Sequence, residues 1–345
     1  MNQPLVCIIV VGYNSRTYLQ ECLQSVHDSH YANYQVIFVD NNSSDDSVEY
    51  IQENYPKVKI IASKSNNGFA KGNNIGIKKA MQLGAQYVFL LNPDTLVDKD
   101  CLKVLMEKAN NQTIMQPLIL LHDGKKKTNL INTSGNVLHY LGYSWCGDYK
   151  KSASLYENIS EKEITGASGA GMFIPVDILK KIGLFDEVFF MYHEDIDLSW
   201  RAHISGYKVK IVPRAKMWHK YSFSRNKNKI YFIERNRFIF LIKCFQFKTL
   251  LILALAIVIS EISLLLFFCL SGHGLQKLKA YWSVITLLSY IQIQREKISR
   301  IRSKTDSCLK SNLYTRLDFE ELKTSLKNIF DYFSMFYWWL INKII

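Results

Sequence analysis

Four side chains in this sequence pair a useful chemistry with an informative position. Asp40 directly follows the apolar run Gln35 to Val39 and is followed by Asn41, Asn42, Ser43, Ser44 and Asp45. A carboxylate at a strand end stands above the sheet, where it can accept the imide N–H of uracil or thymine. Ser43 to Asp45 read as caps for a helix starting near Asp46. Asp94 lies in Asn92-Pro93-Asp94-Thr95, just after the run Tyr87 to Leu91. It can ligate Mg2+ or Mn2+, hard cations that take oxygens from one or two carboxylates and from phosphate. Asn-Pro-Asp alone is an ordinary turn, so the strand-end position carries the information. Glu194 and Asp195 precede an amphipathic helix bearing Leu198, Trp200 and Ala202 to Ile204. The positive end of that helix favours an ionised Asp195, which can act as general base on an attacking hydroxyl. Asp197 and Arg201 fall at the spacing of an i,i+4 pair. His219 follows the strand-like Val209 to Pro213 among Lys216, Lys220 and Arg225. Its neutral imidazole can complete a metal shell while the cations hold phosphate, or it can be structural.

Further polar residues cluster in short turn-prone segments. Tyr13 and Asn14 lie in GYNS, and Asn42 in DNNSSDDS. SNNGFAKGNNIGI holds Asn67, Gly68, Lys71 and Asn74, with Gly68, Gly72 and Gly76 allowing close backbone approach. It is neither GxGxxG nor a P-loop, which disfavours a dinucleotide or ATP site. It fits a sugar or ribose contact loop, or else a turn entering a helix at Gly72. With Asp40, Asn92 and Asp94, these residues are the candidates for holding a nucleotide-linked donor. In GASGAGMFIP, the small residues around Gly169 either leave room for a ligand or pack tightly. Gly169, Glu194 and Trp200 are assigned to the acceptor side.

Such residues need a scaffold that gathers strand ends. From Leu5 to about Leu91, β-branched runs alternate with amphipathic segments at βαβ spacing, which predicts a mostly parallel sheet with helices on both faces. Ligands of such sheets bind at the carboxyl ends of the strands, where the polar loops fall. From Ile114 to Lys220 the alternation weakens, and this stretch reads as the acceptor half of the same domain. The expected division is a catalytic domain over residues 1–240 and a helical membrane-associated tail over 241–345. In the tail, the apolar stretch at about 249–271 is long enough for a bilayer core of ~30 Å. Glu261 near its middle and basic residues at both ends argue against a simple crossing. A re-entrant hairpin broken near Ser260 to Ser263, or helices lying in the interface, suits the charges better; a buried helix pair is the alternative. The closing FYWWLINKII, with Trp338 and Trp339, reads as an interfacial anchor.

The chain has 345 residues, a net charge of +13 and a pI near 9.2. That charge suits nucleotide diphosphates, acidic headgroups or nucleic acid. Nucleic acid is excluded as a partner by the lack of RNP, helix-turn-helix or zinc-finger signatures, and much of the basic excess flanks the apolar stretch. Membrane phosphates explain that excess better. Seven scattered cysteines without a CxxC pair suggest neither zinc nor a disulfide framework and fit a reducing compartment. No basic n-region precedes the first apolar run, so export is not expected.

In one order, VVGYNS, VDNNSSDDS, NNGFAKGNNIGI, LLNPDT, GASGAGMFIP and FFMYHEDIDLSWRAHISGYK resemble family-2 glycosyltransferases of GT-A fold, especially the rhamnosyltransferase-like branch of bacterial polysaccharide assembly. The resemblance covers roughly Pro4 to Trp218. It implies an inverting single displacement in which Asp40 contacts the base, Asp94 ligates the metal, Asp195 is the base and His219 contacts metal or diphosphate. Asn92 stands where the general DxD pattern has its first Asp, as is common in this branch, and implies weaker metal affinity. The QxxRW motif of processive synthases is missing, which favours single-sugar addition. The branch also implies a saccharide or polyprenyl-linked acceptor at the cytoplasmic face of the cell membrane. It favours dTDP-rhamnose as donor, with UDP-hexoses and UDP-N-acetylhexosamines as alternatives. A non-catalytic membrane scaffold is the competing reading.

Overall fold

The computed structural model of this chain describes residues 3–220, 228–318 and 325–345. Its strands are β1 (Val6–Gly12), β2 (Tyr34–Asp40), β3 (Lys59–Ala62), β4 (Tyr87–Leu91), β5 (Thr95–Val97), β6 (Thr113–His122), β7 (Lys127–Thr133), β8 (Asn136–His139), β9 (Ser144–Cys146), β10 (Lys162–Glu163), β11 (Gly171–Pro175), β12 (Lys208–His219) and β13 (Leu313–Tyr314). The helices are α1 (Arg16–His27), α2 (Ser47–Asn54), α3 (Gly68–Gln82), α4 (Cys101–Lys108), α5 (Val176–Ile182), α6 (Glu194–Ile204), α7 (Lys229–Cys244), α8 (Phe247–Leu270), α9 (Gly274–Thr286), α10 (Leu288–Ile301), α11 (Asp306–Leu309) and α12 (Ser325–Ile341).

The main sheet runs β10-β12-β6-β11-β4-β1-β2-β3, with β5 added beside β12 and β7 beside β6. The segment β3-β2-β1-β4 is parallel, as βαβ spacing requires. Beyond it β11 runs antiparallel to both β4 and β6, so the sheet as a whole is mixed. Buried on both faces, β1 and β4 are nearly continuous apolar runs. Parity along β1 shows why: Val6, Ile8 and Val10 join the core of α1, whereas Ile9 and Val11 meet α3 on the other face. Gly72 and Gly76 allow that second contact, since a Cβ at Gly72 would stand 2.6 Å from Val11 Cγ1 and one at Gly76 would collide with Ile9. The chain leaves β1 toward β2 on one side and returns to β4 on the other, which opens a crevice at the carboxyl ends of these strands.

The chain forms two compact units. The first comprises residues 1–136, 146–202 and 207–223; the second comprises 137–145, 203–206 and 224–345. All of α7 lies in the second unit, including the part before the sequence boundary at 240. The second unit holds α7 to α12, and β13 pairs with β8. Its apolar helix α8 is unbroken through Ser260 to Ser263, which corrects the expected hairpin break there. The two serines donate to the carbonyls of Ile257 and Ile259, so they sit inside the helix without ending it. The turn comes at Ser271 to His273, before α9.

Candidate functional site

Asp40 is the last residue of β2, in register with Gly12 of β1. It is buried, and its Oδ2 accepts the Ser43 amide at 3.1 Å. Asn14 and Asn42 both adopt left-handed backbone (φ +49° and +64°), which asparagine tolerates better than most residues. Asn14 Oδ1 accepts the Ser44 amide at 2.8 Å, and its own amide donates to Ser43 Oγ at 2.9 Å. Asn14 thus stitches the loop after β1 to the loop after β2. Tyr13 beside it exposes its ring. Asp45, one residue before the N-cap Asp46, accepts from the Ser47 amide and hydroxyl, while Asp46 itself makes no side-chain cap bond.

The amino end of α3 is set by Gly68, at φ +70°, where a Cβ would stand 2.5 Å from the Phe190 carbonyl oxygen. That oxygen accepts the amides of Phe69 (2.7 Å) and Ala70 (3.1 Å), capping two of the helix's orphan donors. Asn67 immediately precedes the helix, and Lys71 is exposed in its first turn. Asn74 corrects the reading that placed it against a donor. It is buried; its Nδ2 donates to Phe185 O and Glu187 Oε1, and its Oδ1 accepts the Phe185 amide. Its amide therefore braces α3 against the chain before α6.

Asp94 and His219 come from different strands. The end of β12 pairs with β5, matching His219 to Thr95. This brings His219 Nε2 within 3.1 Å of Asp94 Oδ1, while Nδ1 lies 3.0 Å from Asn132 Oδ1 on β7. In the neutral tautomer whose Nδ1–H donates a hydrogen bond to Asn132 Oδ1, the Nε2 lone pair and the Asp94 carboxylate are two acceptors side by side, a pair that a cation would satisfy. A metal-ligating histidine needs this arrangement, with its second nitrogen held by a hydrogen-bond acceptor. Among the described residues no group of three or more His, Cys, Asp and Glu forms a complete cage. A pair of protein ligands suits a divalent ion that draws its other oxygens from a diphosphate. Lys220 is turned to an ion pair with Glu21 at 2.7 Å, Lys216 is exposed, and Arg225 lies outside the described residues.

Glu194 and Asp195 lie in the first turn of α6, not ahead of it. Asp195 Oδ2 accepts from Asn136 Nδ2 (2.7 Å) and the Gly169 amide (3.1 Å), and Oδ1 accepts the Ile196 amide at 2.8 Å. Burial pushes its carboxyl above the ordinary range, and these hydrogen bonds pull against that shift without cancelling it. This corrects the expectation that the helix end would favour the ion. Glu194 is buried, with Oε2 lacking a hydrogen-bond partner among the described residues. Burial first, and the neighbouring Asp195 charge second, push its carboxyl well up. Asp197 and Arg201 form the expected pair at 2.9 Å, buried, and the guanidinium also donates to the carbonyls of Ile182, Gly183 and Leu184. Trp200 is buried in the core, which corrects its placement on an acceptor surface. Helical phase turns it inward.

Gly169 links these parts. A Cβ there would stand 2.8 Å from the Phe69 ring and 3.8 Å from Asp195 Cβ, so its lack of a side chain lets the start of α3 and the start of α6 converge. Asn92 joins the same loop, its amide donating to Ala170 O at 3.2 Å. Sequence reasoning missed Asn132, Asn136 and Gln116; Gln116 Oε1 accepts the Ser168 amide at 2.6 Å. The available signal for the two asparagines was the polar residues within the strand-like NLINTSGN, and for Gln116 a lone polar residue in TIMQPLILL, yet no strand-end position marked them.

A model of the family described as Glycosyl transferase family 2 matches residues 7–183. The low-salt glycan biosynthesis hexosyltransferase Agl10 of Haloferax volcanii is 25% identical over 239 residues, 67% of this chain and 74% of that protein. The N-acetylglucosaminyl-diphospho-decaprenol L-rhamnosyltransferase of Mycobacterium tuberculosis is 24% identical over 240 residues, 64% of this chain and 78% of that protein. A poly-beta-1,6-N-acetyl-D-glucosamine synthase of Staphylococcus epidermidis is 28% identical over 230 residues, 62% of this chain but 49% of the synthase, so the match spans about half of that relative. Two solved structures share the GT-A fold. GalNAc-T7 with UDP, GalNAc and Mn2+ has a TM-score of 0.60 at 16% identity, over 72% of this chain and 49% of that one. S. aureus TarS 1–349 in complex with UDP-GlcNAc has a TM-score of 0.51 at 16% identity, over 91% and 93%.

Proposed function

The chain belongs to glycosyl transferase family 2, and from that premise we propose that it transfers one sugar from a nucleotide diphosphate donor to a hydroxyl of a lipid-linked or cell-surface saccharide, with inversion. The observation that carries this reading is the Asp195 carboxylate, fixed by three hydrogen bonds beside the Gly169 loop, whose Ala170 carbonyl accepts the backbone amide of Asn92. Asp195 takes the proton of the acceptor hydroxyl as that oxygen attacks the anomeric carbon, while the C–O bond to the diphosphate breaks on the opposite face. Burial raises its proton affinity and makes it a stronger base than an exposed aspartate. Asn136 and the Gly169 amide keep Oδ2 in place, so the carboxylate has little freedom to turn.

On the donor side, Asp40 accepts the imide N–H of the base, with Tyr13, Asn14 and Asn42 shaping the wall around it. Asn67, Gly68 and Lys71 lie along the sugar and diphosphate. Asp94 and His219 are the residues that hold Mg2+ or Mn2+, which neutralises leaving-group charge when bound. Glu194 and Gly169 border the acceptor. The preferred donor is dTDP-L-rhamnose, supported by the rhamnosyltransferase name of one relative. A UDP-N-acetylhexosamine is the second reading, supported by the named product of another. The apolar α8 supports action at a membrane, and the cytoplasmic face is the side that a nucleotide-sugar donor requires in this reading.

A panel of dTDP- and UDP-sugars, assayed with Mn2+ for hydrolysis and for transfer to a lipid-linked saccharide, tests this reading. Turnover of one donor, with inverted product, is expected. Binding without turnover of any donor would instead favour a scaffold.

A further inference from the structure

The helical unit carries a surface that nucleotide-sugar chemistry does not use. On α8, the exposed Leu251, Leu255, Val258, Ile262, Leu266 and Leu270 recur at helical spacing along the whole length, while Thr249, Leu253, Ala256 and Ser260 face inward. On α9, Leu275, Leu278, Trp282 and Ile285 form a second outward stripe. On α12, Tyr332, Phe336, Trp339 and Leu340 form a third. The polar side of this arrangement is internal. Glu261, at the middle of α8, meets Arg237 of α7, Lys277 of α9 (2.7 Å) and Tyr281 of α9 (2.6 Å). Glu234 of α7 joins Arg237 at 3.1 Å and also contacts Lys277. Two carboxylates thus balance two cations in a buried cluster, with polar groups inside and hydrocarbon outside.

We infer that this unit docks on one leaflet of an anionic lipid bilayer as an in-plane wedge, with the outward stripes of α8, α9 and α12 among the acyl chains and no helix crossing. The inference rests on the membrane attachment proposed above but not on the transfer chemistry. By length and composition α8 could cross a membrane. However, its midpoint is tied to α7 and α9, and both would have to enter the bilayer with it. α9 has thirteen residues, about 20 Å of helix, too short for a core of ~30 Å. α7 would take Arg235, Arg237 and Lys243 to that depth. Lying in plane, the unit keeps the cluster in its interior and only the stripes meet lipid.

Charge and shape identify the occupant. Residues 224–345 contain nineteen Lys and Arg against eight Asp and Glu, while residues 1–223 are almost balanced. An anionic surface matches that excess. On α9 a groove of about 520 Å³ is lined by Tyr231, Leu275, Leu278, Trp282, Ser283 and Lys279, an apolar trough with a cation and two hydroxyls, the chemistry of one acyl chain below an acidic headgroup. Trp282 and Trp339 are exposed, as suits the boundary between headgroups and chains.

The test uses the full chain added to preformed sealed vesicles of phosphatidylcholine, with or without phosphatidylglycerol. The protein should float with the anionic vesicles and less with the neutral ones. Ser271→Cys, in a chain whose exposed Cys269 and Cys308 are serine, should react from outside with a membrane-impermeant maleimide. Reaction only after detergent would mean that α8 crosses or dips, and would overturn the inference. Leu255→Glu with Trp282→Glu, both exposed sites, should lose flotation while keeping the wild-type circular dichroism. Flotation of this double variant at the wild-type level, or self-association of the wild type in place of flotation, would also overturn it. Donor turnover in the same vesicles reports on the transferase reading separately.

Discussion

His219 Nε2 stands 3.1 Å from Asp94 Oδ1 although the two residues are 125 positions apart, and Asn132 steadies the other ring nitrogen at 3.0 Å. If this pair holds the divalent ion, Asp94→Ala should weaken donor binding in Mn2+ and change it little in EDTA. Asn132→Ala should raise the Mn2+ concentration needed for half-maximal activity by about 10- to 100-fold, the usual effect of losing the partner of a metal-bound histidine. Activity titrated against Mn2+ checks both; an unchanged Mn2+ requirement in Asn132→Ala argues that the ring is structural.

Glu194 gives stability a pH dependence of definite sign. Its folded-state carboxyl lies well above the ordinary glutamic value. Between the unfolded value near ~4.3 and that raised value, the folded chain keeps a proton that the unfolded chain releases. Stability from this group is complete below the unfolded value and declines as pH rises through the window. Urea denaturation from pH 4 to 8 should show the decline, and Glu194→Gln should flatten it. A variant whose slope matches wild type would assign the decline to other groups.

Asn136 should act through Asp195. Its amide donates at 2.7 Å and opposes the effect of burial. In Asn136→Ala the Asp195 carboxyl should rise further, moving the acidic limb of the kcat/KM profile to higher pH, with donor binding little changed. A uniform fall in rate with no movement of that limb would indicate a structural role only.

Arg201 neutralises Asp197 in the core, the two side chains being 6% and 0% exposed. Arg201→Met leaves that carboxylate without its cation and should cost about 3–5 kcal/mol, the range for breaking a buried pair. Thermal melting should reveal it. Replacing both residues, as Asp197→Leu with Arg201→Met, should recover much of the loss, because neither charge then remains buried alone.

The parallel half of the sheet was legible because β1, β2 and β4 are continuous apolar runs ending in polar turns, and this order also exposed Asp40 and Asp94. The antiparallel insertion of β11 was not legible, since Gly171 to Pro175 reads as a buried strand whatever its direction. Asn74 and Trp200 misled for one reason: a motif marks a stretch of chain, whereas helical phase decides which of its side chains face outward. Asn74 points to Phe185 and Trp200 into the core. Asp195 was singled out by its position, but its environment was not legible, because groups that bond to it come from β8 and the Gly169 loop. Glu261 stood out in the sequence as a charge within an apolar stretch. Its partners on α7 and α9 became visible only in the fold.

The most direct test of Asp195 as the base is Asp195→Asn, which keeps the shape of the side chain and removes its proton affinity. Donor binding with Mn2+ should stay close to wild type while transfer to the acceptor falls by roughly 10²- to 10⁴-fold, the range for loss of a general base. Transfer at near the wild-type rate, with donor binding intact, would contradict the assignment of Asp195 as the group that takes the acceptor proton.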